Sequence, residues 1–346
     1  MSKLELLQKY SPIIYFNSNE KYFPVSADFL LKNSTLKNFD NNEVIVSPTN
    51  KQVYEFSKKM NFEPKGDGSI VLGFDKDIYK GQFPLKDVPI YAVYRKIDNI
   101  EYLTYTLLLS YNGEYKILNM EDAGQHPGDL ETYTVKLKSD GTIDQVFYAS
   151  HGNLDGLVLD AKDVPMENNK LVMFSALSGH GLYPHEGTVF RMGGLANDYL
   201  DKGYRWEPKV FELFPRSSSL FNPDTMGWSV YNGRIGGSLD KPNTDGIMGL
   251  IDKEWWGKDA DKVITFDRTK LLNPRVSPPQ KANKLFLLKD LITLTLITII
   301  IIFVHSFVSK KFHGLYVYIV TILITIMLVY LYQNIVKKII QKFAPK

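Results

Sequence analysis

Two long runs without a formal charge lie near the C-terminal end, and they constrain the fold more than any other feature. The first begins at Leu291 and ends at Ser309, and the second covers residues 314–336. A helix needs roughly 20 apolar residues to cross ~30 Å of hydrocarbon, so both runs are long enough. A buried hairpin of a globular domain would show a polar face, which neither run has. The sequence therefore predicts a C-terminal two-helix transmembrane hairpin, with helices over 285–309 and 315–336 and a turn at 310–314.

Basic residues flank these runs and predict their orientation. Four precede the first run, four follow the second within the tail 337–346, and only Lys310 and Lys311 lie between them. Because cytoplasmic flanks carry the excess of basic residues, we expect a multi-pass membrane protein with both termini cytoplasmic. The spans, from Leu291 to Ser309 and from Leu315 to Val336, would contact the lipid bilayer, and the basic flanks would contact anionic lipid heads. The sequence does not decide between an organelle and a virion membrane.

The net charge of +3 conceals two unlike parts of the chain. Residues 281–346 contain nine Lys and one Asp, so the first 280 residues carry a net charge of −5. That part has no basic surface for nucleic acid, and it contains no zinc-finger, P-loop or RNA-binding motif. We therefore expect no nucleic-acid partner. The chain has no cysteine, so its fold needs no disulfide.

Short runs rich in Tyr, Phe, Val and Thr, separated by Gly and Pro, are typical of β structure. The sequence predicts a mainly β fold: a β-sandwich-like soluble domain with long loops over residues 1–267, then a Pro-containing linker at 268–284. A short helix or an arm is predicted at 1–9, and a helix is predicted at 50–59. Strands are predicted at 11–16, 89–96, 102–111, 132–138, 143–150 and 171–177, with a hairpin turn at Asn112-Gly113. Residues 178–262 are predicted to form loops.

Two carboxylates continue the apolar face of one predicted strand. Asp129 and Glu131 have the same parity as Tyr133, Val135 and Leu137, so all five side chains point to one face of a strand. Burying charge at the end of an apolar face is costly unless a cation or hydrogen bonds compensate. The carboxylates therefore indicate a site.

Three histidines lie in glycine-flanked segments at strand ends: His126 in Gln-His-Pro-Gly-Asp, His151 in Ser-His-Gly, and His180 in Gly-His-Gly. The register of the following hairpin decides whether His151 joins the carboxylates. If residue 138 pairs with 142, His151 lies opposite Asp129 and Phe147 lies opposite Tyr133. If Asp140-Gly141 is a two-residue turn, Tyr148 faces Tyr133 and His151 moves to the other face. The first register is favoured because it places Ile143, rather than Asp144, opposite Leu137.

Mixed imidazole and carboxylate ligands suit a divalent cation such as Ca, Mg or Zn. The residues predicted for such a metal site are His126, Asp129, Glu131, His151 and His180. The alternative is that these are loop histidines capped by carboxylates. No Gly-x-Ser-x-Gly nucleophile motif occurs, so a Ser-His-Asp arrangement is open only through tertiary contacts, and the sequence does not decide whether the chain is an enzyme.

The order of several segments resembles the vacuolar protein sorting-associated protein 62 family over about residues 8–260. The matching segments are 10–16, 20–26, 102–112, 126–131, 148–152, 178–187, 197–206 and 233–236, followed by Trp255-Trp256. The His-x-Gly-Asp-x-Glu core is also similar to the heptapeptide of necrosis-inducing, cytolysin-like proteins. That second resemblance implies a β-sandwich with a divalent cation beside a lipid-headgroup glycan, held by His126, Asp129 and Glu131 with His151 and His180 nearby. One departure is Leu130, where the motif has Trp.

Three functions are compatible with these features. The first is a membrane-anchored module whose cytosol-facing β-domain binds a polar headgroup, a glycan or a protein with help from a divalent cation. The second is a metal-dependent hydrolase of phospholipid or glycan, with Glu131 or a histidine as the base. The third is a structural membrane protein of an organelle or virion with no catalytic role.

Overall fold

A computed structural model describes residues 2–117, 120–150, 155–191, 196–253, 256, 266–271, 295, 298–299, 301–310 and 317–324. The helices are α1 (Lys3–Lys9), α2 (Ala27–Lys32), α3 (Asn50–Lys59) and α4 (Pro223–Met226). The first ten strands are β1 (Ile13–Phe16), β2 (Ser34–Asn38), β3 (Glu43–Val46), β4 (Ile70–Phe74), β5 (Pro89–Ile97), β6 (Ile100–Asn112), β7 (Tyr115–Ile117), β8 (Met120–Ala123), β9 (His126–Leu137) and β10 (Ile143–Ala149).

The remaining strands follow residue 155. They are β11 (Gly156–Asp160), β12 (Met166–Glu167), β13 (Lys170–Ser175), β14 (Leu182–Tyr183), β15 (Gly187–Arg191), β16 (Ala196–Leu200), β17 (Tyr204–Trp206), β18 (Lys209–Glu212), β19 (Arg234–Ile235) and β20 (Ile247–Met248). Seven of them follow residue 178, so the prediction that residues 178–262 form only loops is wrong. The mainly β fold with long loops is confirmed.

Side-chain caps explain where the helices begin. Ser2 and Glu5 form a capping box at α1, and Thr49 and Gln52 form another at α3. Each box satisfies backbone N–H groups that have no partner within the first turn. The predicted helices near residues 1–9 and 50–59 are therefore confirmed, with their starts fixed by local sequence.

A six-stranded sheet with the order β11-β10-β9-β6-β5-β18 forms the centre of the molecule. One face packs on the sheet β12-β13-β1-β17 and on α1, through residues that include Leu7, Ile14 and Met173. The other face packs on α3 and on the sheet β20-β19-β4-β2-β3, through residues that include Phe56 and Leu72. The central sheet is thus buried on both faces.

The β9–β10 hairpin combines the two registers that the sequence left open. Gly141 is left-handed (φ +76°), the Lys138 N–H donates to the Thr142 carbonyl at 2.8 Å, and Ile143 lies opposite Leu137. The register then shifts between Ile143 and Gln145, so Tyr148 faces Tyr133.

The favoured register is therefore correct at the turn and wrong beyond it, where Phe147 pairs with Thr134 rather than Tyr133. Asp144 is the extra residue of this β-bulge, and its carboxylate lies 2.7 Å from the Lys136 ammonium. The bulge keeps a charged residue out of the ladder. The prediction of a hairpin turn at Asn112-Gly113 is also wrong. Strand β6, which ends there, pairs with β5 and β9, whereas the next strand, β7, pairs with β8.

The structure does not support the predicted transmembrane hairpin. Helical residues are described at 301–308 and 317–324, and Val304, Val308 and Val317 pack together there. None of the helices within the described ranges combines the length and the apolar character that crossing a lipid bilayer requires. Residues 295, 298, 299 and 309 are also described, and the remaining residues of the two predicted spans lie outside the described residues. Because the two spans were their basis, the predictions of a multi-pass membrane localisation, cytoplasmic termini, bilayer contact and anionic lipid contact at the basic flanks are wrong.

Candidate functional site

The two carboxylates of β9 lie where the strand's parity places them. Asp129 and Glu131 are opposite Leu109 and Leu107 of β6, and they share a face with Tyr133, which is opposite Tyr105. Asp129 is 7% exposed and Glu131 is 8% exposed. The predicted continuation of the apolar face into buried acids is therefore observed, and the cost of that burial must be offset by neighbouring groups.

His180 supplies the positive charge. Its side chain is fully buried, with Nδ1 3.2 Å from an Asp129 carboxylate oxygen and Nε2 3.1 Å from the Tyr22 carbonyl oxygen. A carbonyl oxygen only accepts hydrogen bonds, and an ionised carboxylate also only accepts. Both ring nitrogens therefore donate, which makes His180 an imidazolium. Burial alone would lower the pKa of His180, but the interactions with Asp129 and Glu20 outweigh it and raise the pKa to about 10.

Glu20 completes this ion network, which consists of Glu20, Asp129 and His180. One Glu20 oxygen accepts from the N–H groups of Lys21 and Tyr22 at 2.9 and 3.0 Å, and the other accepts from Ser178 N–H at 2.8 Å. The Glu20 carboxylate lies 3.8 Å from His180 Nε2. Burial raises the pKa of Glu20, but His180 and the backbone N–H groups outweigh it and lower the pKa below its usual value.

Sequence reasoning missed Glu20 as a functional residue. It lies more than 100 residues from the motifs that carry the site, in the segment Glu-Lys-Tyr-Phe-Pro-Val. The only signal was that this segment belongs to the family resemblance. Its role depends on two loops meeting in space, which no local spacing reveals.

Glu131 lies on the same buried face as Asp129, and its surroundings shift its pKa. Burial, together with the negative charge of Asp129, raises the pKa of Glu131 well above its usual value. Asp198 adds a smaller effect in the same direction, and its carboxylate accepts a hydrogen bond from the buried hydroxyl of Tyr183. Glu131 is therefore a buried carboxyl group that favours the neutral acid, beside the pair formed by Asp129 and His180.

The loop that presents His180 has an unusual backbone, which explains its glycines. Ser178 and His180 have positive φ values of 63° and 54°. A Cβ on Gly181 would lie 2.3 Å from the Ser150 carbonyl oxygen, so only glycine is accommodated there. Two left-handed non-glycine residues so close together are costly, and such strain persists where surrounding contacts enforce it. The ion network supplies those contacts.

The other predicted site residues are placed differently. His126 Nδ1 lies 2.8 Å from the Gly128 carbonyl oxygen, within its own turn. His151 lies outside the described residues, so its place in the site stays a prediction. Asp129, Glu131 and His180 are brought together, and Glu20 joins them.

The predicted metal-binding character is wrong for the part of the chain that the structure describes. Across those residues, no three or more histidine, aspartate and glutamate side chains come together in a way that could hold a metal ion. The physical reason is that the His180 imidazolium supplies the positive charge that the carboxylates need. The same geometry excludes His180 as the histidine of a Ser-His-Asp triad, because both of its ring nitrogens already bind Asp129 and Tyr22.

A surface of three tyrosines adjoins the ion network; we call Tyr22, Tyr79 and Tyr111 the tyrosine surface. The Tyr111 ring stacks on Tyr79 with centroids 4.1 Å apart and meets Tyr22 edge-on at 4.8 Å. The Tyr111 hydroxyl donates to the Gln125 side chain. Tyr22 and Tyr79 are half-buried, so part of each ring remains accessible.

Gly113 sets the position of the Tyr22 ring. A Cβ at residue 113 would lie 2.5 Å from Tyr22 Cε2 and 2.8 Å from Ser178 Cβ. The Gly113 N–H also donates to the Ser178 carbonyl at 2.8 Å. The end of β6, the His180 loop and the Tyr22 segment thus meet at one point.

The chain is similar to solved structures of necrosis-inducing proteins, the second resemblance that the sequence suggested. NLPPya in complex with mannosamine has 8% identity, covers 67% of this chain and 82% of its own, and gives a TM-score of 0.35. Necrosis and Ethylene inducing Protein 2, from the causal agent of cocoa's Witches Broom disease, has 12% identity, covers 61% and 74%, and gives 0.29. A structure described as a toxin fold for microbial attack and plant defense has 8% identity, covers 76% and 90%, and gives 0.39.

Sequence comparison identifies the family directly. A search of curated proteins finds no significant match. The model of the family described as vacuolar protein sorting-associated protein 62 matches residues 3–207, more than half of the chain. The match includes both halves of the ion network, from Glu20 to His180. The chain therefore belongs to the vacuolar protein sorting-associated protein 62 family.

Proposed function

We propose that this protein is a recognition module that binds a polar headgroup or glycan on the tyrosine surface without transforming it. The observation that carries the proposal is the accessible ring of Tyr22, held at a fixed place by the ion network beneath it. Glu20 accepts from the Tyr22 N–H, and His180 donates to the Tyr22 carbonyl. The backbone N–H and the backbone carbonyl of Tyr22 are therefore both hydrogen-bonded, and these bonds fix where its side chain lies.

The chemistry of the surface suits a ligand with both apolar and polar faces. Tyrosine rings pack against C–H groups, and polar side chains at the rim fix orientation through hydrogen bonds. Gln125 is exposed at this rim, and His126 beside it is half-buried. A sugar ring or an alkyl-substituted headgroup has this combination of faces.

The ion network supports a binding role rather than a catalytic one. A general base needs a nitrogen or oxygen free to take a proton. His180 donates from both nitrogens, and the Glu20 oxygens accept three backbone N–H groups. Because the network carries its own cation, we expect binding to be independent of divalent metal.

The test is a binding screen of the full chain against soluble glycans and lipid headgroups, repeated with Tyr22→Ala. We expect a ligand whose affinity falls at least about tenfold in the variant, and no change when a chelator is added. Tyr54→Ala is the matched control. Tyr54 lies on α3, is half-buried like Tyr22, and packs against the rings of Phe62 and Phe221. Equal losses in both variants, or a screen without any ligand, would contradict the proposal.

A further inference from the structure

The charges that raise the pKa values of Tyr22 and Tyr79 belong to acidic side chains. Burial raises the pKa of Tyr22, and the negative charges of Glu114 and Glu20 raise it further. Burial and the charge of Asp75 raise the pKa of Tyr79 in the same way. A negative charge near a phenol disfavours the phenolate, and the same potential attracts a cationic ligand.

Two of these acids remain available to a ligand. Glu20 is engaged with His180 and three backbone N–H groups, so its charge is already balanced. Glu114 is half-buried directly after Gly113, and Asp75 is exposed at the start of the 3-10 turn Lys76–Ile78. The lysines that neighbour these tyrosines in the chain, Lys21 and Lys80, are exposed.

The rings themselves attract cations. An aromatic face carries negative quadrupole density, and a cation over it is stabilised by an amount that grows with desolvation. Tyr79 is stacked on Tyr111 on one side, and Phe74 meets it at a right angle with centroids 6.3 Å apart. Tyr79 is thus held by two other rings, and Asp75 directly follows one of them, Phe74, in the chain.

Building on the binding function above, we propose that the ligand of the tyrosine surface carries a quaternary ammonium group that lies over Tyr22 and Tyr79, attracted by Glu114 and Asp75. A quaternary ammonium has no N–H groups to satisfy. Its methyl groups pack on the rings while its charge meets the acids. A primary ammonium is strongly hydrated and would lose more on leaving water.

The test compares choline with its neutral isostere 3,3-dimethylbutan-1-ol, each titrated into the full chain by calorimetry and by NMR. We expect choline to bind about 3- to 30-fold more tightly, the range that a cation–π contact supports. Asp75→Asn and Glu114→Gln should each weaken choline binding without altering the fold. Asp77→Asn is the matched control, because Asp77 is exposed in the same turn but is not among the charges that act on Tyr79.

A further arm separates the two sources of this group. Phosphatidylcholine vesicles that compete with free choline would identify a lipid headgroup, and vesicles without effect would identify a free small molecule; both results support the inference. Equal binding of choline and its isostere would overturn it. So would a neutral ligand from the screen that binds through Tyr22 while choline does not, and that result would leave the proposed function standing. No binding of any kind would refute both.

Discussion

Side chains are buried at both ends of one face of β9, but different interactions stabilise the two ends. At the inner end, Tyr133 stacks on Tyr105 with centroids 4.5 Å apart and rings 4° from parallel. At the outer end, Asp129 and Glu131 are nearly as buried, and the fold brings His180 to them. The inner end is stabilised by ring packing and by two hydroxyls that donate to the backbone carbonyls of Leu7 and Tyr10. The outer end needs one particular side chain from another loop.

This difference predicts how each end responds to change. Apolar burial is non-directional, so its loss scales with the volume removed. A buried charge network depends on every member, because removing one partner leaves an uncompensated charge. The outer end should therefore be more sensitive to single substitutions and to pH than the inner end.

The largest effect is expected at His180. His180→Ala leaves Asp129 buried without its cation, and we expect the free energy of unfolding to fall by about 3–5 kcal/mol. Urea denaturation of the full chain measures it. Adding Asp129→Asn to His180→Ala should recover part of the loss, since the unpaired charge is then gone. Additive losses in the double variant would show that the network is not the cause.

Leu103 provides the comparison at the inner end. It is fully buried opposite Val135, and Leu103→Ala should cost about 2–5 kcal/mol through lost contacts and a cavity. The same denaturation series at pH 6 and pH 9 is the measurement. We expect the cost to be equal at both pH values, and a strong pH dependence would break the distinction between the two ends.

The third effect is the pH dependence of the outer end. The folded pKa of His180, about 10, lies above its unfolded value, so the stabilisation is complete below about pH 6.5 and is lost as pH rises towards 10. We expect a slope of up to ~1.4 kcal/mol per pH unit in this window. His180→Gln should remove that slope from the curve of unfolding free energy against pH. Parallel curves for the two proteins would mean that His180 is neutral in the fold.

The smallest effect is expected at the bulge between the two strands. The Lys136–Asp144 ion pair is partly exposed, with side chains 22% and 33% accessible, so Lys136→Ala should cost less than about 1 kcal/mol. Thermal melts at low and high salt are sufficient, since the difference should shrink as salt screens the pair. A loss as large as that of Leu103→Ala would mean that the ion pair sets the register.

Local patterns predicted the features that depend on a single strand or turn. Period-two alternation placed Asp129 and Glu131 on the face of Tyr133, and the left-handed tendency of Gly141 predicted how the hairpin begins. The bulge was not predictable in the same way. The pairing of Asp144 with Lys136 and the burial of Tyr148 both favour it, and those are tertiary effects.

The partner of the carboxylates depended on contacts that spacing cannot reveal. His180 was singled out by its glycines, but its role as a substitute for a metal cation follows from both nitrogens meeting acceptors. Glu20 reaches the site only because β1 lies beside β13 in one sheet. The membrane prediction rested on the length of two uncharged runs and on their basic flanks, and within the described residues no helix is long and apolar enough to cross a bilayer.

The pairing of β1 also has a consequence for biosynthesis. Ile13 lies parallel to Val172, and Ile14 lies opposite Trp206, about 190 residues later in the chain. At about 5–20 residues per second, a ribosome makes the second partner on the order of 10–40 s after the first strand. Strand β13 and the His180 loop are made before Trp206, so β1 has neither neighbour until about residue 175 and gains its second neighbour only with Trp206. Tyr22 likewise lacks its contact with His180 until residue 180 is made. A nascent chain of this protein therefore completes the contacts of β1 and Tyr22 only after these distant segments have been made.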